Sequence, residues 1–470
     1  MNTKRHLHPL QLLPFVGKSL ILLIFPVIRG LLLIRSPDGF VLWLQGAWLD
    51  IGLLTGVALF AYGTWRCSTF DCDGIFLTVS AGLIFRRHAV IPLADITTFS
   101  LETPYYLSLL GATRVYIDTA GGRAKQPDFQ MLLSGTDAKA LCAQILPKTT
   151  VTPPYYRPNM RRRICLSLAV SHRTTGIFIA AVFLYQSGRI LGEEIRELVL
   201  AGLQHLAGYV YFIPRTAASI AIVLLVGWVL TFIRNLLHYN GFTVTRYPDA
   251  MHIHTAFPIR REYVCPVEAI KLIDARQGLI GCIFRFFMVY FQCIGYGKRK
   301  YDEAILLPAV FQKDRHRINT LLPEFIHTVP CVRPPKRALW RYVRWQLLCI
   351  FAVFPTGELL KKLLPADLAR LTTMCILFPL LWWLTISFIS WKRAGFGEKQ
   401  GFFTLCYHKG FRLHRVIVAA RHITTVTVRQ SIFQKRHGLC DVYIDTFHER
   451  RLSHHIRNVP QIDTKRCFSC

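Results

Sequence analysis

Three times along the chain, a pair of long apolar stretches gives way to short segments punctuated by turns. The apolar stretches cover about 12–34 and 40–65, then 165–190 and 214–236, then 343–362 and 370–391. A membrane-spanning helix needs about 20 mostly apolar residues. Leu371–Trp391 supplies 21 residues without a charge and Thr216–Ile233 supplies 18. Segment 40–65 is long enough but carries Asp50, expected near an interface or paired with a neighbouring helix. Lys18, Arg29, His172 and Arg173 fall in or near the first members of their pairs, where long basic side chains snorkel to the headgroups. Connections within the pairs are short, so each pair is expected to form a helical hairpin that returns the chain to one side.

The pattern after each hairpin changes to short β-type runs. In 74–133 these include Ile75–Val79, Leu83–Phe85, Ile96–Phe99 and Val115–Ile117. Gly, Pro and Asp turns separate them, and Ala120-Gly121-Gly122-Arg123 reads as a hairpin turn. A helix is expected over Thr136–Leu146, with Thr136 as N-cap and Leu141 and Ile145 on one face. Its second-copy counterpart is Phe311–Leu322, with Ile318 and Leu322 facing inward and Pro323 ending it. The third copy stops 28 residues after Val442, which leaves little room for such a helix.

The runs are copies of one another. Gly111–Thr119 reads GATRVYIDT and Gly438–Thr446 reads GLCDVYIDT, and an Ile-Thr-Thr triplet starts 15 residues before each glycine, at Ile96 and Ile423. A weaker copy has Ile270 followed at an offset of 19 by Val289-Tyr290, with Arg285 where the other two have glycine. One module is therefore used three times. The expected division is hairpins at 1–65, 160–238 and 338–392, and modules at 66–150, 239–327 and 393–470. The fold class is an α+β membrane protein: six helices in three transmembrane hairpins, each followed by a small β-sandwich or open barrel with a C-terminal helix.

Charge fixes the expected orientation. The 470-residue chain is 52% hydrophobic with mean hydropathy +0.33, yet carries a formal net charge of +30. Residues 66–163 hold 12 Lys and Arg against 7 Asp and Glu, 234–344 hold 18 against 8, and 392–470 hold 15 against 5. Arg161–Arg163, Arg337, Arg341, Arg344 and Lys392-Arg393 flank the hairpins, whereas loop 189–197 is net acidic. Loop 361–370 runs the other way with Lys361, Lys362 and Arg370, but the balance places both termini and all modules in the cytoplasm. No cleavable signal is expected, because Pro14, Lys18, Pro26 and Arg29 interrupt the first apolar run.

These features resemble a known group. The opening glycines (Asp73-Gly74-Ile75, Asn240-Gly241-Phe242, Gly401-Phe402), the basic turns Arg86-Arg87 and Arg260-Arg261, the Ile91–Ile96 lead-in and Leu109–Thr119 are similar to the bacterial multi-pass membrane proteins with pleckstrin-homology-like (PH-like) domains. The YdbS/YdbT type, in its three-domain YdbT-like branch, matches best. The resemblance implies PH-like folds for the modules, a smaller PH-like membrane protein of the same family as partner, and a role in envelope stress or antimicrobial tolerance.

Catalytic chemistry is not expected. The sequence has no Gly-rich phosphate loop, H-E-x-x-H or G-x-S-x-G, and no cofactor is implied. His252-x-His254 puts two rings on one strand face, but no third ligand stands nearby in sequence, so a solvated polar face is the expected reading. His422 and His454-His455 are expected at the surface. Asp118-Thr119 and Asp445-Thr446 are expected to serve turns. Cys467-x-x-Cys470 lacks a second ligand pair, and most of the 14 cysteines are read as small buried hydrophobes in a reducing compartment. No metal site is therefore expected. The candidate site residues are basic groups near turns: Arg86, Arg87, Arg260, Arg261, Lys298, Arg299 and Lys300, as contacts to anionic headgroups or the membrane surface. The expected function is a non-enzymatic scaffold or sensor on the inner leaflet, and the alternative is a transporter or channel component built from the six helices. Few and scattered intramembrane charges weigh against the alternative, and the spread of basic residues over three membrane-tied modules weighs against nucleic acid.

Overall fold

The computed structural model describes residues 5–12, 48, 52, 55–84, 86–121, 126–145, 154–170, 194, 197, 201–202, 215–256, 259–296, 305–314, 316–325, 330–363, 366–447 and 451–461. Most of the expected first hairpin, the segment 171–193 and Lys298–Lys300 lie outside them.

In the first module, β1 (Arg5–His6), β2 (Thr69–Cys72), β3 (Phe76–Ala81) and β4 (Arg87–Pro92) form an antiparallel sheet. A single 3-10 turn, Leu93–Asp95, swings the chain into β5 (Ile96–Thr103), β6 (Ala112–Thr119) and β7 (Phe129–Ser134). Helix α1 (Gly135–Ile145) follows, with Leu141 buried against the module core and Ile145 packed on it. The cap is Ser134 rather than Thr136: its hydroxyl accepts the Asp137 amide at 3.1 Å. Helices α2 (Met160–Val170) and α3 (Arg215–His238) lead to the second module.

The second module repeats the plan: β8 (Tyr155–Tyr156), β9 (Thr243–Arg246), β10 (Ala250–Thr255) and β11 (Arg260–Pro266), a 3-10 turn at Val267–Ala269, then β12 (Ile270–Gln277), β13 (Phe286–Cys293) and β14 (Ile305–Phe311). Strand β14 runs on through Phe311, so the helix expected from that residue is shorter, α4 (His316–Leu321). Helices α5 (Leu339–Leu363) and α6 (Ala366–Arg393) precede the third module: β15 (Gly395–Lys399), β16 (Phe402–Lys409), β17 (Arg412–Ala419), a turn at Ala420–His422, β18 (Ile423–Arg429), β19 (Leu439–Phe447) and β20 (Arg451–Pro460). Pro92 and Pro266 lead into the first two corners in extended conformation, with φ −62° and −56°. Ala419 takes the same conformation without a ring, at φ −72°.

The copies agree even where their sequences part. Gly111 and Gly438 sit at φ +67° and +62°, and Arg285 occupies the same left-handed position at φ +55°. A Cβ there costs about 1 kcal/mol or more, so the backbone requirement belongs to the module and the second copy meets it under strain.

The modules are joined edge to edge. Strand β5 of the first pairs antiparallel with β11 of the second, giving one seven-stranded sheet. Strand β12 of the second pairs with β17 of the third, giving a six-stranded sheet. The cores interlock accordingly: Ala250 and Val264 belong to the first module's core, Ile417 to the second's and Leu272 to the third's. At the first junction Arg261 Nη2 lies 3.1 Å from Glu102 Oε1, both side chains under a tenth exposed. Arg261 is therefore not a surface contact. Its register opposite Glu102 puts it inside the shared sheet, where a charge persists only if paired.

Two helices among the described residues are long and apolar enough to cross a membrane, Lys336–Leu363 and Thr372–Arg393. Little of either apolar window is buried in protein, as a lipid-facing helix requires. The buried Gln346 amide donates to Ser387 Oγ at 2.8 Å, and Gly357 lets the Thr373 side chain approach closely, within 3.3 Å of where a Cβ would stand.

Two substitutions probe this architecture. Arg285→Gly should raise the thermal midpoint of the detergent-solubilised protein, by roughly 1 kcal/mol of relieved strain; a lower midpoint would show that the arginine side chain matters more than its backbone. Arg261→Ala should destabilise by roughly 3–5 kcal/mol through the stranded Glu102 charge, and Arg261→Met with Glu102→Met should recover most of that loss.

Candidate functional site

Each module carries a short helical turn between the same two strands: Tyr105–Leu109, Leu279–Ile283 and Ile432–Lys435. In each, large apolar side chains stand more than half exposed: Tyr105, Tyr106, Leu109 and Leu110 in the first, Ile283 and Phe284 in the second, Ile432 and Phe433 in the third. Exposed apolar groups recurring at one structural position mark a contact surface. Basic residues adjoin two of these tips, Arg285 directly after Phe284 and Lys435-Arg436 shortly after Phe433. The third turn is held by a capping box in which Ser431 and Gln434 satisfy each other's backbone amides, so the tip is presented in a fixed form. These residues were not among the expected site. Their sequence signal is only a few apolar letters between two β-type runs, which without the fold do not stand apart from the strands.

A second feature lies where modules two and three share their sheet. A cavity of about 490 Å³ opens against β12, β13 and β17, covered by Ile318 of α4 and by Ser390 and Arg393 at the end of α6. Its walls are mostly apolar (Ile273, Phe287, Val289, Leu413, Ile417), the character of small-molecule sites. A buried polar chain borders it. Arg276 Nε donates to Asp274 Oδ2 at 2.6 Å, His414 Nδ1 lies 2.9 Å from the same oxygen, and the His414 ring stacks on Tyr407 at 5.3 Å. The Tyr407 hydroxyl meets His454 Nδ1 at 2.8 Å, and Thr446 Oγ1 meets its Nε2 at 3.2 Å. Burial alone would push the Asp274 carboxyl up, but the hydrogen bond from His414 and the charge of Arg276 hold it below the usual carboxylate range. Burial drives His454 down to about 4, so it is neutral at pH 7; it is a core group rather than the surface residue expected. Asp445 and Thr446 are buried in the same way, Asp445 accepting from Thr425 Oγ1 at 2.8 Å. They sit inside the sheet, not in a turn.

The expected basic residues are dispersed. Arg86 and Arg87 are exposed at the start of β4. Arg260 is exposed and bridges Glu262 at 3.0 Å, while Arg261 is buried as described. Lys298, Arg299 and Lys300 lie outside the described residues.

His252 and His254 do share a strand face, and the fold supplies neighbours that the sequence did not place there. Glu262 on β11 stands 3.8 Å from His252 Nε2 and 3.9 Å from His254 Nε2, and Cys142 of α1 completes a group whose ligand atoms lie within 4.8 Å of one another. A metal would be held by Cys142, His252 and Glu262. However, the cation that Glu262 needs is already present in Arg260, and His252 with Arg260 draws its carboxyl down to about 2 against the opposing effect of burial. Burial pushes the Cys142 thiol up to about 12, the opposite of a ready thiolate ligand.

A family model for the bacterial PH domain matches residues 19–149 and 348–465, more than half of the chain. The protein belongs to the bacterial PH domain family. The middle module lies between the matched segments and repeats the same strand order and corner. Along 340 residues the chain is 22% identical to the UPF0699 transmembrane protein YdbT of Bacillus subtilis (strain 168), covering 65% of this chain and 68% of that protein. It is thus a membrane-associated, YdbT-type bacterial PH-like protein. No solved structure matches it.

The buried histidines set a pH dependence. His454 and His408 are both lowered to about 4 by burial, whereas an unfolded histidine titrates near 6.5. Their contribution is complete above about pH 6.5 and is lost as pH falls toward 4, because only the unfolded chain takes up the protons there. Thermal unfolding at pH 7 and pH 5 should show a lower midpoint at pH 5, with each histidine contributing up to about 1.4 kcal/mol per pH unit. His454→Gln should flatten that dependence; an unchanged slope would rule His454 out as its source.

Proposed function

We propose that the protein is a non-enzymatic membrane scaffold or sensor. Three helical hairpins (1–65, 160–238, 338–392) hold three PH-like domains (66–150, 239–327, 393–470) on the cytoplasmic face, where they engage anionic headgroups of the inner leaflet or partner membrane proteins. The observation that carries this reading is the apolar turn repeated at one position in every module, beside basic residues in two of them. An apolar tip entering the interface with cations at the headgroup level is the physical form of peripheral membrane attachment, and each basic group near an anionic leaflet adds about 1 kcal/mol. The cavity at the end of α6, with Arg393 at its wall, supports a second headgroup contact beside the third hairpin. The basic balance of all three modules favours the cytoplasmic side.

The test uses the full chain, because the first module's β5 would be stripped of its partner in a fragment. With an environment-sensitive fluorophore on Phe433→Cys, in a variant lacking the exposed cysteines and reconstituted in nanodiscs, emission should be quenched by bilayer nitroxides, and more strongly with phosphatidylglycerol present. No quenching in either bilayer would sink the membrane-contact reading. Labels at Gly121, Lys298 and Glu449 should be protected from membrane-impermeant reagents in intact cells.

A further inference from the structure

The same junction is made twice in the same register. At the first, Phe99 pairs with Val264 and Glu102 with Arg261; at the second, Leu272 pairs with Val418 and Gln277 with Leu413. Counted from the corner isoleucines Ile96, Ile270 and Ile423, the residue k places after one corner always faces the residue k + 3 places before the next. The rule is a property of the module, since the sequences at the two junctions differ at nearly every pair.

The third module has the same strand, and among the described residues no strand of a further module lies on it. Among the described residues, β18 is the edge of its sheet and pairs only with β19. Val426 and Val428 occupy the places of Phe99 and Leu101, which are 0% and 5% exposed in a core that takes in Ala250 and Val264 of the neighbouring module, whereas Val428 is 47% exposed. Thr424, Thr425, Thr427 and Arg429 are exposed as well. An open edge of unpaired amides and carbonyls is a template for another strand. This one has no proline, and its irregularity near Ile423 is also present at the same place in β5 and β12, where pairing occurs.

Charge selects the occupant. The residue six places after the corner is Glu102 in the first module, facing Arg261, and Arg276 in the second, whose carboxylate is Asp274 in its own strand. In the third it is Arg429, resting on the Tyr443 ring at 4.9 Å, and Thr427 stands where Asp274 would be. Asp441 stands across from it in β19, but that carboxylate is held by His455, Gln434 and the Asn458 amide, and among the described residues none forms an ion pair with Arg429. A second copy of this chain, joined by the same rule, would offer β4, an edge strand of its first sheet, and the rule would then set Arg87 against Arg429. Like charges directly opposite are unfavourable. We infer that β18 is a docking edge for an antiparallel strand from a different polypeptide, with an Asp or Glu opposite Arg429 and an apolar residue opposite Val426. This deepens the partner-binding side of the scaffold reading and rests on it; the test runs in detergent without lipid, so its outcome is separable from membrane contact.

The probe is a synthetic peptide copying residues 259–269, the strand that caps β5, with Cys265→Ser and with or without Arg261→Glu. Binding to the detergent-solubilised full chain is read by fluorescence anisotropy. The Glu peptide should bind roughly ten-fold more tightly than the Arg peptide, and Arg429→Glu, an exposed change, should reverse the preference. Equal binding of both peptides, or of neither, overturns the proposal. Sedimentation supplies the second arm: the wild-type chain should not associate through this edge, whereas Arg87→Glu should create association that is lost again when Arg429→Glu is added. Wild-type association abolished by Val428→Lys would assign the edge to a second copy and equally overturn it.

Discussion

Backbone hydrogen bonding between the corner strands of successive modules is the constraint on which the rest of the structure depends. Strand β5 accepts β11, and β12 accepts β17, in one register. Each pairing removes two sheet edges at once and so closes off what would otherwise be sites of non-specific association. It also fixes side-chain parity, because a slip of one residue would turn every side chain to the opposite face. The shared cores, the buried Arg261–Glu102 pair and the polar chain around Asp274 all follow from that register.

A row of modules built this way is stiff compared with domains on linkers. PH-like units tied by flexible segments would present their turns independently. Here each apolar tip rises from a different sheet, and successive modules are joined by shared sheets and cores, so contact made by one constrains its neighbours, as in any multivalent surface. The third module is the exception, with a free edge in β18 and a strongly basic exposed strand end. The asymmetry gives the row a direction: one end presents the edge strand β4 of the first module, the other the edge strand β18 of the third.

The junctions also gather the buried ionisable groups. Arg261 with Glu102 lies at one, and Asp274, Arg276, His414 and His454 lie at or beside the other. Buried charges of this kind contribute little net stability but penalise mispairing strongly. With three similar modules in one chain, wrong pairing of equivalent strands is the obvious hazard. A Glu–Arg match at one junction and an Asp–His–Arg match at the other distinguishes the correct neighbours from the incorrect ones.

The sequence by itself determined the repeat, the α+β character, the alternation of apolar stretches with β modules and the basic bias. Each of these depends only on local periodicity, composition or spacing. It also placed the Ile-Thr-Thr corners and the Val-Tyr-Ile-Asp-Thr strands, because one backbone geometry demanded similar letters each time. The tertiary structure alone decided which strand of one module lies against which of the next. It thereby buried Arg261 and brought Cys142 to the His252 and Glu262 face, while the packing of the third module's own sheets buried His454 and Asp445, which local reading placed at a surface and a turn. The helical-turn tips were illegible for the same reason, since a few apolar letters do not say whether they point into a core or out of it. Arg285 shows the two levels meeting: its letter departs from the repeat, yet the fold holds it at the left-handed angle its glycine counterparts adopt, because hydrogen bonds on both sides of the turn outweigh the strain of one residue.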